Sequence, residues 1–438
     1  MTTAIALPYA KRTLPNGLDV IVHEDHRVPI VAVNLWYHVG SKNERSGRTG
    51  FAHLFEHLMF EGSEHHNGGY FLPLQQAGAL LNGSTNSDRT NYWEVVPTSA
   101  LELALWMESD RMGYLLPALT RERFETQRGV VLNERRQNYE NRPYGMALMA
   151  LSAALFPQDH PYHWLTIGDA EDLRAMEFED VRSFFRSYYH PANASLALAG
   201  DIEAERGFDL AEAYFAEIPA GEKPSSVQAD ASVAREVRLV LEDRVELPRV
   251  YMAWHSPAMF AEGDAEADLL ADLLANGKTS RLYRALVYDT RMSLDVSAYQ
   301  HSREISSFFL LASTAAPGQS LTQITAVIDE RIQRLTDEGP VGEEMERGFA
   351  QAEAHFMYRL QTVGGFGGKS DQLNAYNVFR GDPDFFGNDL DRYRRATRES
   401  VRATARRYLA FDRRVVLSVV PKGQAALALP GSEPVSVA

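Results

Sequence analysis

Two histidines and a glutamate stand close together in the segment from His53 to Gly62, HLFEHLMFEG. On an α-helix His57 lies four residues and Glu56 three residues after His53, so the three side chains project from one face. Two imidazoles at this spacing can chelate one zinc ion, and a neighbouring carboxylate can act as general base on a water held by the metal. The motif predicts a hydrolytic metal site; the alternative is a surface helix with three unrelated polar residues.

A zinc site needs at least one further protein ligand, and the composition limits what it can be. The sequence contains no cysteine, which excludes thiolate ligands and disulfides. The segment 121–140 has helical spacing and many carboxylates, so several acidic residues are candidates. The residue types alone do not choose among them.

The chain carries signs of an internal duplication around a Pro-, Gly- and Ser-rich stretch at 217–230, which indicates a linker. Before it, the β-rich run VPIVAVNLWYH (28–38) leads into the motif helix. After it, LPRVYMAWH (247–255) leads into DLLADLLANG (268–277) with the same leucine and glycine spacing. The two halves therefore predict two related domains.

The duplicated helices differ at the positions that could do chemistry. When the two segments are aligned on their leucines and their final glycine, the motif residues correspond to Asp268, Ala271 and Asp272. The second half keeps the apolar pattern of the helix but loses both imidazoles and the base. We therefore expect one half to be catalytic and the other to be structural or substrate-binding.

Strands and helices are grouped rather than strictly alternating, which favours an α+β fold. We predict two homologous domains, each a mostly antiparallel sheet covered by helices. The N-terminal catalytic zinc-binding domain spans 1–220, the linker spans 221–235, and the C-terminal domain without the zinc motif spans 236–438.

The net charge of −15, from 44 Lys and Arg against 59 Asp and Glu, repels nucleic acid and anionic lipid. No apolar run approaches the ~18 residues of a membrane span. We therefore expect neither nucleic-acid nor membrane partners. The opening segment MTTAIALPYAKRTLPNG lacks a basic region followed by a long apolar segment, so we expect a cytoplasmic location, or a periplasmic one if a signal peptide has been removed.

The order His-x-x-Glu-His is the inverzincin signature, and the sequence resembles the pitrilysin-like M16 family of zinc metallopeptidases, in its processing-peptidase-like M16B type. In that family a glutamate far beyond the second histidine completes the metal site, at a characteristic distance and on a helix reading roughly VVLEE. Here VVLNE ends at Glu134, and its distance from His57 along the sequence matches the family spacing. The resemblance implies that Glu134 is the third ligand, that Glu56 is the base, and that one Zn²⁺ binds per chain.

The resemblance covers nearly the whole chain, including TLPNGLDVIVHED (13–25) and GALLNGSTNSDRTNYWEVVP (78–97). In the family the second segment lies beside the metal, and an edge strand there pairs with the substrate backbone. This implies that Asn82 and Thr85 contact a peptide substrate. The alternative is that both residues satisfy the local backbone of a strand and turn.

Two departures from the family pattern stand out. Many members carry a supporting glutamate seven residues before the third ligand, where this chain has Gln127, which keeps a hydrogen-bonding group behind the ligands but loses the charge. Active members also use an Arg and a Tyr of the second half to hold substrate, and the equivalent segment 306–318 contains neither.

Some enzymes of the family divide these roles between two subunits. We therefore predict a zinc-dependent endopeptidase for peptides or unfolded polypeptides, acting as the metal-bearing subunit of a dimer whose homologous partner supplies the Arg and Tyr. A homodimer is the alternative assembly. A non-catalytic scaffold or core subunit with the same fold is the alternative function.

Overall fold

The computed structural model describes residues 6–437, and twelve β-strands in this range form two six-stranded sheets. The first sheet consists of β1 (Ala10–Thr13), β2 (Asp19–Glu24), β3 (Ile30–Tyr37), β4 (Leu80–Thr85), β5 (Thr90–Pro97) and β6 (Ala194–Gly200). The second consists of β7 (Val237–Asp243), β8 (Arg249–Ser256), β9 (Ser293–His301), β10 (Ser307–Ala315), β11 (Val415–Pro421) and β12 (Glu433–Pro434).

Helices cover both sheets. The α-helices are α1 (Phe51–Leu58), α2 (Phe71–Gln76), α3 (Leu101–Ala118), α4 (Arg121–Arg135), α5 (Ala147–Leu155), α6 (Ala170–Ala175), α7 (Phe178–Tyr188), α8 (Ala204–Phe215), α9 (Asp264–Ala275), α10 (Leu321–Glu338), α11 (Gly342–Arg359), α12 (Lys369–Arg380), α13 (Phe386–Arg395) and α14 (Arg398–Tyr408). Two π-helical segments are Arg136–Glu140 and Tyr283–Asp289, and short 3₁₀ turns are Ser41–Asn43, Thr98–Ala100, Pro191–Asn193 and Ala425–Leu427. None of the described helices is long and apolar enough to span a lipid bilayer.

The two sheets share one topology. Their strand orders are β1-β2-β6-β3-β5-β4 and β12-β7-β11-β8-β10-β9. When β1 and β12 are left out, the remaining five strands correspond in order: β2, β6, β3, β5 and β4 match β7, β11, β8, β10 and β9. In each matched set one pair is parallel, β2 with β6 and β7 with β11, and the other pairs are antiparallel. This repetition confirms the predicted α+β class and the two homologous, mostly antiparallel domains.

Packing divides the described residues, 6–437, into two compact units, neither of which is continuous in sequence. The first unit contains residues up to 133 together with 165–227 and 355–388. The second contains 134–164, 228–354 and the residues from 389 onward. Each unit thus combines most of one predicted domain with a segment from the other half of the sequence, a feature that the predicted boundaries at 220 and 236 do not include.

In the first unit, α3 contacts β3 and β5, α8 contacts β2, and α12 contacts β2, β3 and β6. Polar contacts, in addition to apolar ones, hold α12 against the sheet. Lys369 forms a 2.6 Å ion pair with Asp25, and the carboxylate of Asp371 accepts hydrogen bonds from Trp36 Nε1 (2.9 Å) and Asn34 Nδ2 (3.3 Å). Because all these groups are buried, their hydrogen bonds stabilise one specific placement of α12.

In the second unit, both faces of the sheet are also covered, so β8 buries side chains on both of its sides. Val250, Met252 and Trp254 contribute to a core with α9, α10 and α14. The alternate residues Tyr251 and Ala253 contribute to a separate core with α5. The alternation follows from the two-residue period of a strand between two helical layers.

Helix α9 occupies in the second half the place of the motif helix, and of its carboxyl groups that of Asp264 is buried and that of Asp268 is half-buried. Asp264 accepts hydrogen bonds from Arg392 Nη2 (2.6 Å), Gln300 Nε2 (2.5 Å) and Ser302 Oγ (2.9 Å). Asp268, which corresponds to the first histidine of the motif, accepts one from Tyr393 Oη at 2.5 Å. Burial, together with the nearby carboxylate of Asp264, raises the pKa of Asp268 to about 7.

This raised pKa gives a testable dependence of stability on pH. The folded protein holds the Asp268 proton up to about pH 7, whereas an ordinary aspartate loses it near 3.8. The resulting contribution to the free energy of unfolding is complete below pH ~4 and is lost as the pH rises through about 7. Asp272 and Arg392 also act on this carboxyl, the first raising and the second lowering its pKa.

We expect Asp268→Asn, which stays neutral and still accepts a hydrogen bond from Tyr393, to be more stable than the parent protein at pH 8 by up to ~4 kcal/mol. At pH 4 the two proteins should have similar stability. Urea unfolding curves at both pH values measure the difference. An equal difference at pH 4 and pH 8 would contradict the assignment.

Candidate metal centre

Helix α1 has one apolar and one polar side. Its buried residues are Phe51, Ala52, Leu54, Phe55 and Leu58. The rings of Phe51 and Phe55 stack on Phe184 of α7, with ring centroids 5.5 and 5.7 Å apart, and Tyr92 Oη donates to the Phe55 carbonyl at 3.3 Å. These contacts fix the rotation of the helix about its axis, so the three motif residues lie on its partly exposed side.

The start of α1 is fixed by a buried carboxylate. Glu44 accepts hydrogen bonds from the backbone N–H groups of Gly50 and Ala52, each at 2.9 Å. A negative charge at this position stabilises the helix because it faces unpaired N–H groups and the positive end of the helix dipole. Gly50 has a φ of 93°, a left-handed conformation that glycine adopts without the strain of a side chain.

The structure brings the three predicted ligands together. The rings of His53 and His57 lie 4.9 Å apart between centroids, at 84° to each other. One nitrogen of each ring and one carboxylate oxygen of Glu134 all lie within 4.8 Å of one another. Two imidazole nitrogens and a carboxylate oxygen are a common ligand set of catalytic zinc, which leaves a fourth position for water or substrate. The residues present therefore fit a zinc ion.

Glu134 lies in the last turn of α4, one residue beyond the first compact unit but on the same continuous helix. Near its start, α4 buries Phe124 against Phe178, with ring centroids 5.9 Å apart. Further along, Arg128 Nη1 donates to the carbonyl of Met176 at 3.1 Å. After Glu134 the chain continues as a π-helical segment, a local geometry that often accompanies functional residues.

The other predicted residues of the first half lie on β4 and α4. Asn82 is exposed on β4, which is an edge strand of the first sheet, and its side-chain oxygen accepts from Gly83 N–H at 2.8 Å. Thr85 ends the same strand, and its hydroxyl oxygen is buried without a hydrogen-bond partner among the described residues. Gln127 donates from Nε2 to Oε1 of Glu61 at 2.5 Å. Contact of Asn82 and Thr85 with substrate stays a prediction.

The segment 306–318, which lacks Arg and Tyr, contains the interior strand β10 and is largely buried. The arginine that precedes it, Arg303, packs its guanidinium over the rings of Tyr162 and Phe156, 3.8 and 4.9 Å from their centroids. Its side chain is thus part of the core of the second unit.

Two residues near the centre were not singled out from the sequence. Arg89, in the turn after β4, donates from Nη1 to the carbonyl and hydroxyl of Ser84 and lies over the ring of Trp36 at 5.1 Å. Burial lowers the pKa of Arg89, while the carboxylates of Asp371 and Glu56 act in the opposite direction. The guanidinium of Arg89 thus interacts electrostatically with the carboxylate of the predicted base, and the β4–β5 hairpin is the element that carries it.

The second missed residue is Glu61, the acceptor of the Gln127 amide. It stands four residues after His57, so continued helical spacing from the motif would have indicated it. The helix ends at Leu58, but the turn that follows keeps the chain close, since Glu61 N–H donates to the Leu58 carbonyl at 3.1 Å.

Comparison with known proteins gives consistent matches along the chain. Residues 19–163 match the family model described as insulinase (peptidase family M16), and residues 175–351 match the model described as peptidase M16 inactive domain. Zinc protease PqqE of Helicobacter pylori is 28% identical over 386 residues, which cover 86% of each protein.

Solved structures with the same fold include a protease from Helicobacter pylori, with a TM-score of 0.86 at 24% identity over 94% of this chain and all of that one. A second is a peptidase M16 inactive domain from Pseudomonas fluorescens, with a TM-score of 0.84 at 17% identity, covering 95% and 99% of the two chains. The two M16 domain models match consecutive parts of this chain, and the similarity to PqqE extends over most of it. This protein therefore belongs to the M16 (insulinase) family of peptidases.

Proposed function

We propose that this protein is a zinc-dependent endopeptidase that hydrolyses peptides or unfolded polypeptides. The observation that carries the proposal is the convergence of ligand atoms of His53, His57 and Glu134 within 4.8 Å, with Glu56 on the same helix as the two histidines. The naming of relatives as zinc proteases supports it. The family model that matches much of the second half is described as inactive, in keeping with the aspartates that stand there in place of the histidines.

In this proposal His53, His57 and Glu134 hold one zinc ion per chain. Bound zinc would lower the pKa of a water and polarise the scissile carbonyl as a Lewis acid. Glu56 accepts the proton of the attacking water and returns it to the nitrogen of the leaving amine. The apolar side of α1 is buried, which holds Glu56 and the histidines in one fixed arrangement.

The edge strand β4 is the proposed binding surface for the substrate backbone. Only β5 pairs with it in the described sheet, so the backbone groups of its other side can bind an extended peptide as an added strand. Asn82 and Thr85 on this strand are proposed to contact that peptide. Because main-chain hydrogen bonds carry most of such binding, a broad range of extended sequences fits the surface.

We further propose that the chain is the metal-bearing subunit of a dimer with a homologous subunit that supplies an Arg and a Tyr for substrate. The burial of β10 and the packing of Arg303 among aromatic rings support this division.

Replacement of the proposed base tests the mechanism. We expect Glu56→Gln to bind zinc as the parent protein does but to lose turnover of an unfolded fluorogenic peptide by at least ~100-fold, since it cannot accept a proton. The exposed Glu64→Gln is the matched control and should retain activity. Turnover by Glu56→Gln at the rate of the control would refute the assigned base.

Replacement of the third ligand tests the metal site. We expect Glu134→Gln to retain clearly less than one zinc per chain after dialysis against a weak chelator, because a neutral amide is a poor zinc ligand. Elemental analysis measures the content, and the exposed Glu122→Gln on the same helix should retain its zinc. Full zinc content in Glu134→Gln would assign the ligand to another carboxylate.

Assembly is tested by adding a homologous subunit that carries Arg and Tyr but no histidine pair. We expect the purified chain alone to show weak peptide hydrolysis and the mixture to form a heterodimer with at least ~10-fold higher kcat/KM, equivalent to about 1.4 kcal/mol of transition-state stabilisation. Light scattering coupled to gel filtration measures the assembly. A fully active homodimer of this chain would contradict the division of roles.

A further inference from the structure

One hydrogen bond joins the two chain segments that carry the metal ligands. The amide Nε2 of Gln127 on α4 lies 2.5 Å from Oε1 of Glu61, in the turn after α1. The turn is also held by an aromatic contact, because the ring of Phe60 packs against Tyr92 with ring centroids 5.5 Å apart. The carboxylate of Glu61 is therefore presented to α4 from a well-held position.

The position of this bond follows the spacing of the ligands. Gln127 precedes Glu134 by seven residues, and after seven residues an α-helix returns to the same face within about 20°. Glu61 follows His57 by four residues in a chain that stays close to the end of α1. The bond therefore lies on the same face of α4 as the third ligand, about two helical turns from it, and just beyond the end of α1.

The chemistry of the pair requires these two residue types. An amide N–H that donates to an ionised carboxylate forms a charge-assisted hydrogen bond, which is stronger than a bond between neutral groups. A carboxylate at position 127 would have no proton to donate and would face Glu61 as a like charge. Glutamine at 127 and glutamate at 61 are thus a matched donor and acceptor, and replacing either residue removes the hydrogen bond of the other.

We infer that the Gln127–Glu61 bond positions α4 against α1 and thereby sets the zinc affinity of this protein. The inference rests on the proposed function, since it presupposes a zinc ion on the histidine pair and Glu134. Gln127 and Glu61 are positioning residues and bind neither metal nor substrate. Groups that orient metal ligands from outside typically change metal affinity 10–100-fold when removed.

A double-mutant cycle with zinc affinity as the readout tests this inference. The variants are Gln127→Met, Glu61→Met and the double variant, with zinc Kd measured by competition with a chelating dye. We expect Gln127→Met to bind zinc 10–100-fold more weakly than the parent protein. In the Glu61→Met background, Gln127→Met should cause no further loss, because the bond is already absent.

Two further variants, together with unfolding measurements, distinguish a specific effect of the Gln127–Glu61 bond on zinc affinity from a general loss of folding. Gln127→Asn keeps the amide but is one methylene too short to reach Glu61, and it should also weaken zinc binding. Gln333→Met removes a comparable exposed amide, which donates to Asp337 at 3.0 Å on α10, and it should leave zinc Kd unchanged. Urea unfolding of the metal-free proteins shows whether each variant is folded before the metal is added.

The outcomes decide between distinct conclusions. Zinc Kd of Gln127→Met within twofold of the parent, with lower stability of the metal-free protein, would make the bond merely structural and overturn the inference. Equal loss from Gln127→Met with and without Glu61 would also overturn it, since the two residues would then act independently. A parent protein that takes up no zinc would overturn the proposed function itself, and the inference with it.

Discussion

The approach of three proposed ligand atoms from two helices is the constraint on which the proposed metal site depends. The two histidines are brought together by helix α1 alone. The carboxylate of Glu134 reaches them only if α4 has the right position along its own axis relative to α1. Aromatic packing sets the rotation of α1, while Phe124 and Arg128 hold α4 against the segment that leads into α7. A displacement of about 1 Å between the helices would move the proposed ligand atoms out of binding geometry, so the surrounding packing serves precision as much as stability.

The corresponding helices of the two halves, α1 and α9, treat their polar side chains differently. In the first half the polar side of α1 is partly exposed and carries imidazoles that a cation can bring together. In the second half the carboxylate of Asp264 on α9 pairs with the guanidinium of Arg392, and the carboxyl group of Asp268 accepts a hydrogen bond from the hydroxyl of Tyr393. These two carboxyl groups of the second helix thus have partners within the protein, where burial disfavours a charged group without a partner. The same topology therefore supports a helix with a partly exposed polar side in one half and a helix with internally paired carboxyl groups in the other.

Local patterns in the sequence were sufficient for much of the fold. The strands β3 and β8, the helices α1 and α9 and the repeated topology follow from apolar periodicity and from the similarity between the halves, because these signals act over few residues. Glu134 could be chosen among the carboxylates of α4 only through family spacing, since no local rule spans the long interval between it and His57. The placement of α12 on the first sheet, and of Arg89 where it interacts with the proposed base Glu56, depends on long-range packing that periodicity does not encode.

The exchange of segments between the two compact units has a consequence for how the chain folds. The first sheet takes its covering helix α12 from residues 369–380, and Lys369 meets Asp25 across 344 positions of sequence. On the ribosome, the N-terminal strands therefore remain without this cover until most of the polypeptide has been made. Contacts of such sequence separation slow folding and leave apolar surface open to association in the meantime. A polypeptide cut at residues 221–235 would leave neither piece with all the segments of its own compact unit.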